Sequence, residues 1–151
     1  MHINFLWRWL VLGLLVGCSP VTSLLHPSSP CPSVFSYDGA GPETDRWYGE
    51  IVVNSAEYLV GVRLNIQLDR QSHLMVSWLG EVTTSNNKEF TILNLEQVLD
   101  PSRPMTTRIM VRFEPNGGSP KVKTIWLNGK QICPAETPSK YALYKQDHFK
   151  A

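Results

Sequence analysis

Between Leu59 and Leu68 the chain alternates between apolar and polar residues more cleanly than anywhere else. Leu59, Val62, Leu64, Ile66 and Leu68 sit close to a period of two, with Arg63, Asn65 and Gln67 between them. Successive side chains of a strand point to opposite faces. The pattern therefore describes a strand with one face in a core and one in water. Strand signals recur on both sides of it. Residues 47–53 are rich in aromatic and β-branched types. Residues 73–80 form a strand with Leu74, Val76 and Trp78 on one face, continued over 81–84 past a bulge at Gly80. Residues 90–93 and 107–113 follow, the latter with Ile109, Val111 and Phe113 against Arg108, Met110 and Arg112. The last strand, residues 122–127, returns through an Asn128-Gly129 hairpin turn into residues 130–133. Residues 95–99 read as one short helical turn ending before Pro101. Short strands between polar, Gly- and Pro-containing turns predict an all-β fold, a single antiparallel β-sandwich, with a partly open β-barrel as the alternative. Too few helical segments are present for a βαβ architecture.

The ends of the chain differ in kind from this patterned middle. Residues 9–17 are a short apolar run behind Arg8, followed by small residues and Pro20. The run is shorter than the roughly 20 residues a spanning helix needs, so residues 1–23 read as a signal peptide cleaved between Gly17 and Ser23. Leu15-Val16-Gly17-Cys18 offers a competing reading as a lipoprotein cleavage box. Residues 24–30 form a Pro/Ser-rich linker, residues 31–134 the β domain, and residues 135–151 a C-terminal tail. If Cys18 leaves with the leader, Cys31 and Cys133 remain, and two cysteines in an exported protein allow one disulfide. Two unpaired thiols are the alternative. In the entropic model, closing a loop of about 100 residues stabilises by roughly 4–5 kcal/mol.

Chemistry is sparse. The formal net charge of +1 lacks the basic excess of a nucleic-acid-binding domain. His26, His73 and His148 stand apart, and no serine lies in a Gly-Asp-Ser-Gly context, so neither a Ser-His-Asp triad nor a zinc site is expected. Asp38, Glu43 and Asp45 share a loop without the spacing of a calcium loop. No cofactor is implied, and no Asn-x-Ser/Thr acceptor is present. Surface recognition is what remains. The candidate interaction surface comprises Trp47, Tyr48 and Trp126 with the basic residues Arg108, Arg112, Lys121, Lys123 and Lys130. Such a patch suits an acidic partner or a sulphated glycan. Against it, Trp47 and Trp78 also read as residues packed in the core or at its edge. Trp126 should face away from the core if Ile125 faces into it.

One set of segments carries a resemblance. Cys31-Pro32-Ser33-Val34-Phe35 and Trp47-Tyr48-Gly49-Glu50-Ile51 come first. Leu64-Asn65-Ile66-Gln67-Leu68, Gly80-Glu81-Val82 and Phe90-Thr91-Ile92-Leu93-Asn94 follow. Arg108-Ile109-Met110-Val111-Arg112-Phe113 and the run from Ile125 to Cys133 close the set. In order and spacing these resemble the N-terminal domain of insect gastrulation-defective-type serine proteases, over about residues 31–134. The resemblance implies an extracellular insect protein. In the family this domain precedes a chymotrypsin-like protease domain and acts in extracellular protease cascades. The domain itself is regarded as non-catalytic and regulatory. A serine protease or its zymogen is the implied partner. The chain departs from the family architecture by stopping soon after Cys133, as a stand-alone paralogue or a truncated pro-region. The expectation is a secreted, non-catalytic regulatory or protein-interaction domain. A glycan-binding extracellular module is the runner-up.

Overall fold

The computed structural model describes residues 28–38 and 44–134. The expected leader, most of the linker and the tail lie outside the described residues, as do Cys18, His26, Glu43 and His148. Among the described residues nine strands run in chain order: β1 Phe35–Tyr37, β2 Arg46–Val53, β3 Leu59–Leu68, β4 Leu74–Ser77, β5 Glu81–Thr84, β6 Glu89–Leu99, β7 Met105–Arg112, β8 Val122–Leu127 and β9 Lys130–Cys133. Sheet I has the order β1-β2-β7-β4 and sheet II the order β5-β6-β3-β8-β9. All pairings are antiparallel. Neither sheet closes on itself, so the sandwich reading holds and the barrel alternative does not.

The core follows from the alternation. Sheet I turns Phe35, Trp47, Ile51, Val53, Ile109, Val111 and Met75 inward, and sheet II turns Val62, Leu64, Ile66, Leu68, Phe90, Ile92 and Ile125 inward. Burying each such side chain is worth about 1.5–3 kcal/mol. The one break in the alternation of β3, from Leu59 to Val62, is absorbed by a bulge at Gly61 with φ +87°.

The two sheets are joined along both margins. On one, the disulfide Cys31–Cys133 links the segment before β1 to the end of β9, with Cα atoms 5.5 Å apart. On the other, the chain passes directly from β4 of sheet I to β5 of sheet II. Gly80 sits in that crossing, and a Cβ there would collide with the Leu93 carbonyl oxygen, so only glycine fits. A third link runs through the aromatic cluster of Phe35, Tyr37 and Trp47, whose rings lie edge-to-face at 4.7–6.1 Å. The Trp47 indole N–H donates to the Pro120 carbonyl at 2.8 Å, and the Tyr37 hydroxyl accepts from the Val122 N–H at 2.9 Å. Both bonds tie sheet I to the entry of β8.

Two sequence expectations are corrected here. Residues 95–99 are not a helical turn but the continuation of β6. Between the pairs Val62↔Asn94 and Val60↔Val98, β6 has two more residues than β3, and Asn94 Oδ1 accepts the backbone N–H groups of Glu96 and Gln97. A side-chain-capped turn inside a strand imitates a helical turn in sequence. At β4, Leu74, Val76 and Trp78 do share one face, but it is the outer one, so Trp78 is not a core residue. Met75 is buried, while Leu74 and Trp78 are 47% and 61% exposed. The register Met75↔Val111 and Ser77↔Ile109 is set by the inner face of β7, and it outweighs the apolar content of the four-residue edge strand.

Candidate functional site

The outer face of sheet I is assembled by three strands. Register places Tyr48 of β2, Met110 of β7 and Val76 of β4 in one row, and Arg46, Arg112 and Leu74 in the next. Beyond Val76, the Trp78 N–H donates to the Arg108 carbonyl at 3.1 Å, continuing the ladder. The Arg108 guanidinium carbon lies 5.9 Å from the ring centroids of both Tyr48 and Trp78. A cation over aromatic faces at that range is attracted by their quadrupoles. Its Nη2 and Nε donate to Asp38 Oδ2 at 2.6 and 3.1 Å. The guanidinium is therefore held on three sides at the surface.

Arg112 and Arg46 face one another across the β2–β7 pair, an arrangement that like charges resist. Asp45 resolves it. Its Oδ1 accepts from Arg46 and its Oδ2 from Arg112, each at 3.1 Å. The Arg46 hydrogen bond first, and the Arg112 bond with it, hold the Asp45 carboxyl below the ordinary carboxylate range. Asp38 and Asp45, two of the three acids considered for calcium, are thus engaged by arginines. No cluster of metal-binding side chains occurs among the described residues.

The remaining sequence candidates do not share this face. Trp47 points inward, 7% exposed, with its N–H satisfied by Pro120, so it is a structural clip rather than a surface anchor. Lys123 and Trp126 belong to β8, and Lys130 to β9, both in sheet II. Lys121 precedes β8, with its backbone N–H bonded to Asp69. Ile125 is inside and Trp126 half-buried on the outer face, as the alternation requires. The basic residues therefore form two groups on two sheets rather than one patch. Trp78, placed in the core or at its edge by sequence reading, is the surface residue that reading missed. Its placement follows from the register of β4 with β7, which carries no mark in the residues around it.

A second exposed apolar group surrounds the Gly61 bulge of sheet II. It contains Tyr58, Val60 at 77% exposure, Leu95 and Val98. The Tyr58 hydroxyl donates to Asp100, which raises the Tyr58 pKa.

Catalytic geometry is not assembled around His73. Its Nε2 sits 2.7 Å from Glu114 Oε1 at the surface. The neighbouring Ser72 hydroxyl donates to the Asn87 carbonyl instead, at 3.4 Å. A triad needs the serine on one imidazole nitrogen and the acid on the other.

Two open antiparallel sheets and a disulfide at one margin define an all-β, sandwich-like domain. The chain belongs to the Serine protease gd N-terminus family, whose model matches residues 29–142 of the 151. The matched region is the N-terminal, non-catalytic part of a serine protease, which gives the chain a general protease-associated role. No curated protein matches the chain.

Proposed function

We propose that this domain is a secreted regulatory module of extracellular serine-protease cascades, and that it binds a protease or zymogen through the outer face of sheet I. The observation that carries the reading is Trp78. It is 61% exposed, next to a guanidinium fixed between two aromatic rings and a carboxylate. Tryptophan, tyrosine and arginine dominate the residues that anchor protein interfaces. Pre-fixing the arginine also lowers the ordering cost of binding. The family supports a protease as the class of partner. The disulfide supports an oxidising, extracellular compartment.

The test is binding of the folded domain to a chymotrypsin-like zymogen taken from a protease of the same family, its active serine replaced by alanine. Trp78→Ala and Tyr48→Ala should each weaken the complex, and Val60→Lys should not. Loss of binding with Val60→Lys alone would move the interface to sheet II.

A further inference from the structure

The outer face of sheet II carries chemistry that a protease partner does not explain. Register lines up Trp126, Asn65, Thr91 and Thr83 in one row across β8, β3, β6 and β5. Thr124, Gln67 and Glu89 form the row beside it. At the usual strand separation, the four-strand row is about 14 Å long. An open groove of about 530 Å³ lies over Trp126, Asn65, Thr91, Thr83, Gln67 and Glu89, with Thr124 beside it. That volume falls within the range of small-molecule and oligosaccharide sites.

The side chains in the groove are already ordered by one another. Asn65 Nδ2 donates to Thr91 Oγ1 at 2.8 Å, Gln67 Nε2 to Glu89 Oε1 at 3.0 Å, and Thr124 Oγ1 to Gln67 Oε1 at 3.1 Å. These bonds fix the amide orientations and leave capacity over. Asn65 retains its carbonyl oxygen and a second N–H, Thr91 its hydroxyl proton, and Glu89 its second carboxylate oxygen. Donors and acceptors thus alternate along a rigid floor with an indole at one end. Among the described residues lining the groove, only Glu89 is charged and none is a cation.

From this arrangement we infer that the groove is a binding site for a neutral oligosaccharide. Sugar hydroxyls donate and accept at once, which matches the alternating floor. The C–H face of a pyranose ring packs on an aromatic side chain, which matches Trp126. The lining carboxylate disfavours a sulphated or otherwise anionic chain. An added peptide strand would need free backbone groups, and here the backbone is consumed by the ladders on both sides of β3 and β6. The inference does not rest on the sheet I interface, because the two sites lie on different sheets.

The experiment is titration calorimetry of the full chain with cellohexaose, chitohexaose and laminarihexaose, with a heparin hexasaccharide as the anionic control. Amide-resolved NMR of the same samples reads the side-chain signals of Asn65 and Gln67 and the indole N–H of Trp126. Saturable binding of at least one neutral hexasaccharide is expected, with those three signals shifting and no loss at raised sodium chloride. Asn65→Ala should weaken it about tenfold, as expected for loss of a directional hydrogen-bonding group. Trp126→Ala should weaken it at least as much. Trp78→Ala should leave it unchanged. Should Trp126→Ala fail to fold, Asn65→Ala and the wild-type NMR shifts still decide. Three results overturn the site. They are no saturable binding of any neutral hexasaccharide by folded protein, binding that survives Asn65→Ala, and a salt-sensitive preference for heparin.

Discussion

The two outer faces of this sandwich obey the same strand alternation and end with opposite chemistry. Sheet II covers its central face with hydroxyl and amide groups that bond sideways to one another, Asn65 to Thr91 and Gln67 to Glu89. Sheet I exposes Leu74 and Trp78 and arranges arginines around Val76, Met110 and Tyr48. Water solvates the first face well. The second leaves apolar surface and a fixed cation that gain from being covered. On the proposed reading it is the sheet I face that a partner covers, since that face is left incompletely solvated.

The strongest way to break the comparison is to remove the frame both faces share. Cys31→Ala with Cys133→Ala opens a disulfide spanning 102 residues of sequence and should cost about 4–5 kcal/mol by urea unfolding, with both faces lost together if folding fails. Gly80→Ala strikes the opposite margin. The backbone oxygen of Leu93 cannot give way cheaply, so a loss on the order of 2 kcal/mol is expected in the same assay.

The next two changes separate the faces. Trp78→Ala should reduce zymogen binding by about 2 kcal/mol while moving unfolding stability by less than about 0.5 kcal/mol, because the side chain is at the surface. Asp38→Asn keeps the size of the side chain but removes the charge from its pairing with Arg108. It should weaken binding by about 1 kcal/mol if fixing the arginine matters.

The smallest effect concerns Asp45. Its folded pKa lies below the ordinary value, so its ion pairs stabilise the fold at all pH above the ordinary carboxylate range. They are lost only as pH falls through the lowered folded value. A carboxyl-detected NMR titration should show that depressed midpoint, and Arg46→Ala or Arg112→Ala should each move it back up.

Much of the frame was legible in the sequence. The alternation in β3 and β7 and the Asn128-Gly129 turn follow from local rules, and the pairing of Cys31 with Cys133 from counting cysteines once Cys18 is set aside with the expected leader. The turn carries positive φ at both residues, as that hairpin type demands. What was not legible depends on neighbours. The phase of β4 is decided by its register with β7, which no property of residues 74–78 encodes. The Leu95–Gln97 turn is held by Asn94, whose amide reads as an ordinary polar residue until its partners are placed. The candidate surface was half legible. Tyr48, Arg108 and Arg112 stand together, but Trp47 turned inward, Trp78 turned outward, and Lys121, Lys123 and Lys130 went with sheet II or its entry. Assigning a residue to a face needs only alternation, whereas assigning it to a sheet needs the crossovers.

The most direct test is the affinity of the folded domain for the serine-inactivated zymogen, measured side by side for wild type, Trp78→Ala and Val60→Lys. The account expects wild type and Val60→Lys to bind alike and Trp78→Ala to bind at least tenfold more weakly. Equal binding by wild type and Trp78→Ala, with both correctly folded, would contradict it.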